Sequence, residues 1–139
     1  MSVQAFVNFN GNCREAVKFY AEAFGVEEPK IMTFGEMPPD ADFPLDDYTR
    51  ELVMYTDLKI FGGIVMFSDA LPGRDATIGD NISLVLTGTD EEALTRAFNN
   101  LKVGGKVEMD LQETFWSKVY GYLVDKYGVG WQVSLAEEK

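Results

Sequence analysis

The sequence predicts an α+β fold: two βαβββ modules, the first over about residues 1–70 and the second over about 80–137. Both lie within one domain spanning residues 1–139, their sheets joined into a half-open curved surface with the helices outside. Three observations predict it. A capped, striped helix occurs twice, a strand–glycine turn–strand hairpin occurs twice, and the one mismatch between the copies falls on a segment with the composition of a loop.

The first element is SVQAFVNFN (Ser2–Asn10), a short strand-like run. In the next stretch Asn12 is placed to cap a helix, with Glu15 three residues on as its capping-box partner. Ala16, Val17, Tyr20, Ala21 and Phe24 follow at helical spacing, and Gly25 supplies the stop. The same positions return as Thr89, Glu92, Ala93, Leu94, Ala97, Phe98 and Leu101, after the strand-like NISLVLTG. Later in each half, Glu51–Ala70 resembles Ser117–Ala136, each reading strand, tight turn at Gly62 or Gly128, strand. The hairpins lie closer together than the helices do, so the first half carries an insertion. Met37–Asp47, MPPDADFPLDD, has the length, and its prolines and aspartates oppose helix and central strand alike. A surface loop is expected there.

Composition narrows the function. The chain carries 12 basic and 23 acidic residues, a net charge of −11, and no basic cluster of the kind that displaces phosphate counterions. Nucleic acid is therefore not an expected partner. No run of about 18 uncharged apolar residues is present, so no membrane span is expected. MSVQAFVNFN lacks a basic region followed by an apolar stretch, and the single cysteine, Cys13, has no internal disulfide partner. Both features suit a cytoplasmic protein. The sequence holds no histidine, which removes the commonest general base and the commonest transition-metal ligand together.

FNGNCREAVKFYAEAFG, MYTDLKIFGG, LQETFWSKVYG and VDKYGVGWQV, spread over almost the whole chain, carry a family likeness. With the paired modules, they make the chain resemble the vicinal oxygen chelate superfamily of glyoxalase I and the fosfomycin and bleomycin resistance proteins. Within it, the chain is similar to the PhnB-like branch, also labelled 3-demethylubiquinone methyltransferase-like. The resemblance implies a cavity formed by the two modules, and homodimers as the common assembly. In metal-dependent members four inward side chains, usually two His and two Glu or Gln, hold a divalent ion. The motif alignment carries those positions onto Ala5, Met66, Asn81 or Ile82, and Gln132. A methyl and a thioether do not bind a hard cation, and two neutral amides do not replace two carboxylates. No metal and no other cofactor is expected. Where branch members often read HAEL, this chain has Tyr55-Thr56-Asp57-Leu58.

The candidate ligand-binding residues are Tyr55, Met66, Asn81, Trp116, Tyr120 and Gln132. Tyr55 either offers its hydroxyl to the cavity or packs its ring, and with an ordinary pKa of about 10 it is a poor base. Trp116, Tyr120 and Tyr122 either grip a flat ligand or close the core, Tyr120 and Tyr122 sharing one strand face. Gln132 fixes a polar group or satisfies a neighbouring strand. Asp69 and Asp125, beside the hairpins, read as turn aspartates. Cys13 lies in a first helical turn without a catalytic partner, and the acidic insertion lacks EF-hand spacing. The function that follows is metal-independent binding of a small organic molecule. The alternative is an enzyme using the same cavity without the metal; nothing reads as a Rossmann-type unit for a methyl donor. A third reading is an oligomeric module whose pocket is vestigial.

Overall fold

The computed structural model describes residues 1–137. The chain divides into two compact units, Met1–Thr77 and a second from Ile78 onward. Among the described residues each unit contains one four-stranded mixed sheet and one long helix, an α+β architecture.

In the first unit the order is β1 (Ala5–Phe9), α1 (Cys13–Phe24), β2 (Met32–Thr33), a short 3₁₀ turn at Phe34–Glu36, α2 (Asp47–Glu51), β3 (Val53–Ile60) and β4 (Gly63–Asp69). The sheet runs β1-β4-β3-β2, with β1 and β4 parallel and the other pairs antiparallel. Strand alternation sends Val7, Phe9, Val65 and Phe67 to the side on which α1 packs. Tyr20 of α1 stacks on Phe67 with ring centroids 5.7 Å apart, and Phe9 stacks on Phe67 at 6.2 Å. Ala16, Val17 and Ala21 complete the buried stripe of the helix. Each large side chain so buried contributes about 1.5–3 kcal/mol.

Gly25 ends α1 in the left-handed region, as its sequence position predicts, while Val26 N–H returns to the Ala21 carbonyl. The start of α1 differs from expectation, because the Asn12 side chain makes no cap. Instead Asp69, only 3% exposed at the end of β4, accepts from the amides of Gly11 and Cys13 through Oδ1 and from Val53 through Oδ2. A carboxylate distant in sequence displaces the local cap because it satisfies two orphan amides of the helix entry and one of β3 together. The β3–β4 connection is a two-residue loop with both Phe61 (φ 47°) and Gly62 (φ 84°) left-handed, a type I′ turn. The Met37–Asp47 insertion is a surface loop up to Asp46; Asp46 then caps α2, which already begins at Asp47.

The second unit repeats the pattern with β5 (Ser83–Gly88), α3 (Glu91–Leu101), β6 (Lys106–Gln112), β7 (Tyr120–Val124) and β8 (Gly130–Leu135), in sheet order β5-β8-β7-β6. Leu94, Ala97, Phe98 and Leu101 of α3 are buried, as are Leu86, Leu123, Trp131 and Val133 on the sheet. The cap of α3 is Asp90, whose Oδ1 accepts from Ala93 N–H, and not the expected Thr89. The carboxylate one residue further on sits where its oxygen reaches the N3 amide of the helix. Asp125 does organise its turn, accepting from Tyr127 and Val129 amides, and it also takes the Trp131 indole N–H at 2.8 Å. Gly121 lets the helix approach, since a Cβ there would stand 2.7 Å from the Phe98 ring.

Two stability effects follow. Asp69→Ala strips the partner from three amides at once and lowers unfolding free energy by about 4 kcal/mol in urea titration. Gly121→Ala overpacks the α3 interface and costs about 1–3 kcal/mol in the same measurement.

Candidate functional site

With one face of each sheet given to its helix, the alternate residues of the same strands form the opposite face, and most of the sequence-derived candidates fall there. In the second unit Tyr120 and Tyr122 stand opposite Ser134 and Gln132 in the β7–β8 ladder, and Gln132 stands opposite Val85 of β5. The Tyr120 hydroxyl donates to Gln132 Oε1 at 2.7 Å, and Gln132 Nε2 donates to Ser83 Oγ at 2.8 Å. The three side chains form a directed relay across β7, β8 and β5. Gly130 gives Tyr122 room, a Cβ there standing 3.0 Å from its hydroxyl oxygen.

Above this relay the chain turns at Thr114–Ser117. Thr114 N–H donates to the Ser117 carbonyl, and the buried Ser117 hydroxyl reaches the carbonyls of Val119 and Leu135. The turn holds two rings outward. Phe115 is 97% exposed and Trp116 53% exposed, so Trp116 does not close the core. Trp116 meets Tyr120 edge-on with centroids 5.1 Å apart, and Phe115 meets Trp116 at 4.7 Å. An aromatic edge beside a hydroxyl–amide–hydroxyl relay suits a flat molecule carrying hydrogen-bonding groups.

The first unit presents a different set on its free face. Phe6 pairs with Met66, Met66 with Asp57, and Asn8 with Ser68, whose hydroxyl donates to Asn8 Oδ1 at 2.7 Å. The Tyr55 hydroxyl donates to Asp57 Oδ2 at 2.8 Å, with the Phe6 ring 6.3 Å away. That bond to Asp57 raises the Tyr55 pKa above its ordinary value, burial and the Asp57 charge adding to it. Tyr55 is thus a phenol held neutral and directed at a carboxylate.

Tyr55 and Met66 therefore share one face in the first unit, and Trp116, Tyr120 and Gln132 share one in the second. Asn81 does not join them: it lies in the exposed bend before β5, and Ile82 beside it is 73% exposed. Ala5 pairs with Val65 and so points to the helix side, leaving Phe6 as the β1 residue beside Met66. Sequence reading missed Ser83 and Asp57. The signal for Ser83 was strand parity, since it is the position of NISLVLTG that alternates with Leu84 and Leu86.

The donor set does not fit the family's metal ion. Gln132 has its carbonyl oxygen and its amide nitrogen both engaged, Met66 offers a thioether and Ala5 a methyl. Among the described residues no three His, Cys, Asp or Glu side chains gather. Cys13 is buried at the start of α1; burial, and then the Asp69 charge, push its thiol far above the ordinary range, overriding the helix dipole.

Two measurements check this chemistry. Cys13 in the native protein stays unreactive to a disulfide reagent at pH 8 and reacts stoichiometrically once urea unfolds the chain. Tyr55 ionises above pH 10 in a 295 nm titration, and Asp57→Asn moves that transition downward. The sign follows from the raised folded-state value: the bond stabilises below the unfolded pKa and is lost as pH climbs through the folded one.

Residues 1–134 match the family described as 3-demethylubiquinone-9 3-methyltransferase. Protein YjdN of Escherichia coli is 32% identical, over 100% of this chain and 98% of its own length. The crystal structure of PA1353 from Pseudomonas aeruginosa superposes with a TM-score of 0.84 at 29% identity, covering 99% of both chains. The PhnB protein from Bacillus cereus gives 0.72 at 29% identity, over 98% of this chain and 100% of that one. At 15% identity and a TM-score of 0.56, a glyoxalase-related enzyme from Fulvimarina pelagi shares the fold over 98% of this chain and 89% of its own.

Proposed function

The chain belongs to the PhnB-like 3-demethylubiquinone-9 3-methyltransferase family, within the glyoxalase-like folds, and from that membership we propose that it binds a small, flat organic molecule without a metal ion. The relay of Tyr120, Gln132 and Ser83 beside the Trp116 edge carries the reading. The amide holds one neighbour at each end, so the site still offers the Tyr120 oxygen lone pairs, the Ser83 hydroxyl proton, and the second N–H and second lone pair of Gln132. The ligand that matches them carries a donor and an acceptor along one edge, as an aromatic amide or hydroxy-carbonyl compound does. The exposed rings of Phe115 and Trp116 supply apolar area for its faces.

The alternative, a metal-independent enzyme, draws on Tyr55 and Asp57. A neutral phenol bound to a carboxylate serves a reacting oxygen as a proton donor, not as a base. This reading takes second place because the Tyr55 proton is already held by Asp57.

Tryptophan fluorescence tests the first reading, since Trp116 is exposed while Trp131 is buried and bonded to Asp125. Salicylamide and related aromatic amides are expected to quench Trp116 saturably, and Trp116→Phe abolishes the signal. Tyr120→Phe or Gln132→Ala weakens binding about five- to tenfold, the worth of one hydrogen bond. Mg²⁺, Mn²⁺, Ni²⁺ and Zn²⁺ leave the melting temperature unchanged. A stoichiometric, stabilising metal, or quenching indifferent to Tyr120 and Gln132, overturns the proposal.

A further inference from the structure

The inserted segment of the first unit does more than decorate the surface. It encloses a cleft of about 640 Å³, in the size range of small-molecule sites. Its walls are apolar, with Phe34, Met37, Phe43, Leu45 and Leu71 among them and three prolines of the loop completing the lining. Phe43 is 70% exposed, an aromatic ring kept at a concave surface without a packing partner sufficient to bury it.

The cleft is held from two sides. The 3₁₀ turn is tied by Thr33 N–H to Glu36 at 2.6 Å and by Phe34 N–H to the Leu52 carbonyl at 3.1 Å. Gly35 lets that turn lie against α2, because a Cβ there would stand 3.0 Å from the Arg50 carbonyl oxygen. On the other side Asp46 caps α2 through Thr49 N–H at 2.7 Å. The loop itself is bent by Asp40, whose Oδ1 accepts from Asp42 N–H and whose carbonyl accepts from Phe43 N–H. The apolar lining is thus presented by backbone that has its own partners.

Two charges border this lining, Arg50 and Asp40. Asp40 is turned into its own loop. The Arg50 side chain has no ion-pair partner among the described residues, in a chain with 23 acidic groups. An unpaired guanidinium at an apolar wall offers its planar fork to a carboxylate. The net charge of −11 and the nearby Asp40 disfavour a bare or doubly charged anion, so apolar area must supply much of the attraction.

We propose that the cleft between the Met37–Asp46 loop and α2 is a second ligand site, taking a small amphipathic monocarboxylate with its apolar body against Phe34 and Phe43 and its carboxylate on Arg50. The site shares no residue with the Tyr120–Gln132 relay and stands or falls independently of it.

The probes are 4-phenylbutanoate, 4-phenylbutanamide and 4-phenylbutylamine, each titrated into ¹⁵N-labelled full-length protein and followed by amide shifts. The carboxylate is expected to move Phe34, Phe43, Arg50 and Leu71 and to bind about fivefold more tightly than the amide. The amine binds more weakly than either. Arg50→Gln, an exposed change on α2, equalises carboxylate and amide, whereas Phe43→Ala weakens both. The proposal is overturned if none of the probes moves these amides, or if the amine binds as well as the carboxylate. It is equally overturned if Arg50→Gln keeps the carboxylate preference, or if only the Tyr120–Gln132 face responds.

Discussion

The first unit depends on one carboxylate. Asp69 ends β4, yet its two oxygens bind the amides that open α1 and the amide that opens β3. A local cap satisfies a helix end and nothing else. Asp69 satisfies the helix end while fixing its distance from two strands of the sheet, and it brings negative charge to the positive end of the helix dipole. The stacking of Tyr20 and Phe9 on Phe67 needs that distance, because Phe67 lies two residues before Asp69 on the same strand face. Burial above all keeps the Cys13 thiol protonated, and the same Asp69 charge adds to it, so the interaction that sets the core geometry also helps to silence the cysteine.

The second unit repeats the element order and solves the same problem differently. Asp90 caps α3 locally, and the buried carboxylate, Asp125, moves to the β7–β8 turn, where it gathers two amides and the Trp131 indole. Two repeats with matching stripes therefore rest on different polar anchors. Apolar packing tolerates substitution of one side chain for another of similar volume, while a buried carboxylate is tied to the few amides it reaches.

That difference explains what was legible in the sequence. The helices, the hairpins, Gly25, Gly62 and the insertion were visible because periodicity and turn chemistry are local. The α1 cap was not, since Asp69 meets Cys13 across 56 positions of sequence. The cap of α3 was misread by one residue because Thr89 and Asp90 are both good caps. On the strands, period two makes a one-residue error a change of face, which is why Ala5 stood in for Phe6. Asn81 has the parity of Ser83 but lies in the bend before β5 begins. Tyr120 and Gln132 were found by type and spacing, but their mutual bond, and Ser83 as its terminus, needed the strand register.

The corresponding positions Met66 and Gln132 show how the free faces have diverged. Met66 sits between Phe6 and Asp57, where a thioether packs and coordinates no hard cation. Gln132 could in principle donate an oxygen, yet that oxygen already accepts from Tyr120 while the nitrogen holds Ser83. Recruiting it for a metal would ask one oxygen to serve both Tyr120 and the ion, and return one neutral ligand without a neighbouring carboxylate to share the charge. The proposed flat organic ligand would ask for no such sharing. On that reading it takes the valences the relay leaves open and covers the exposed rings, so a neutral donor set poorly suited to an ion is well suited to the molecule.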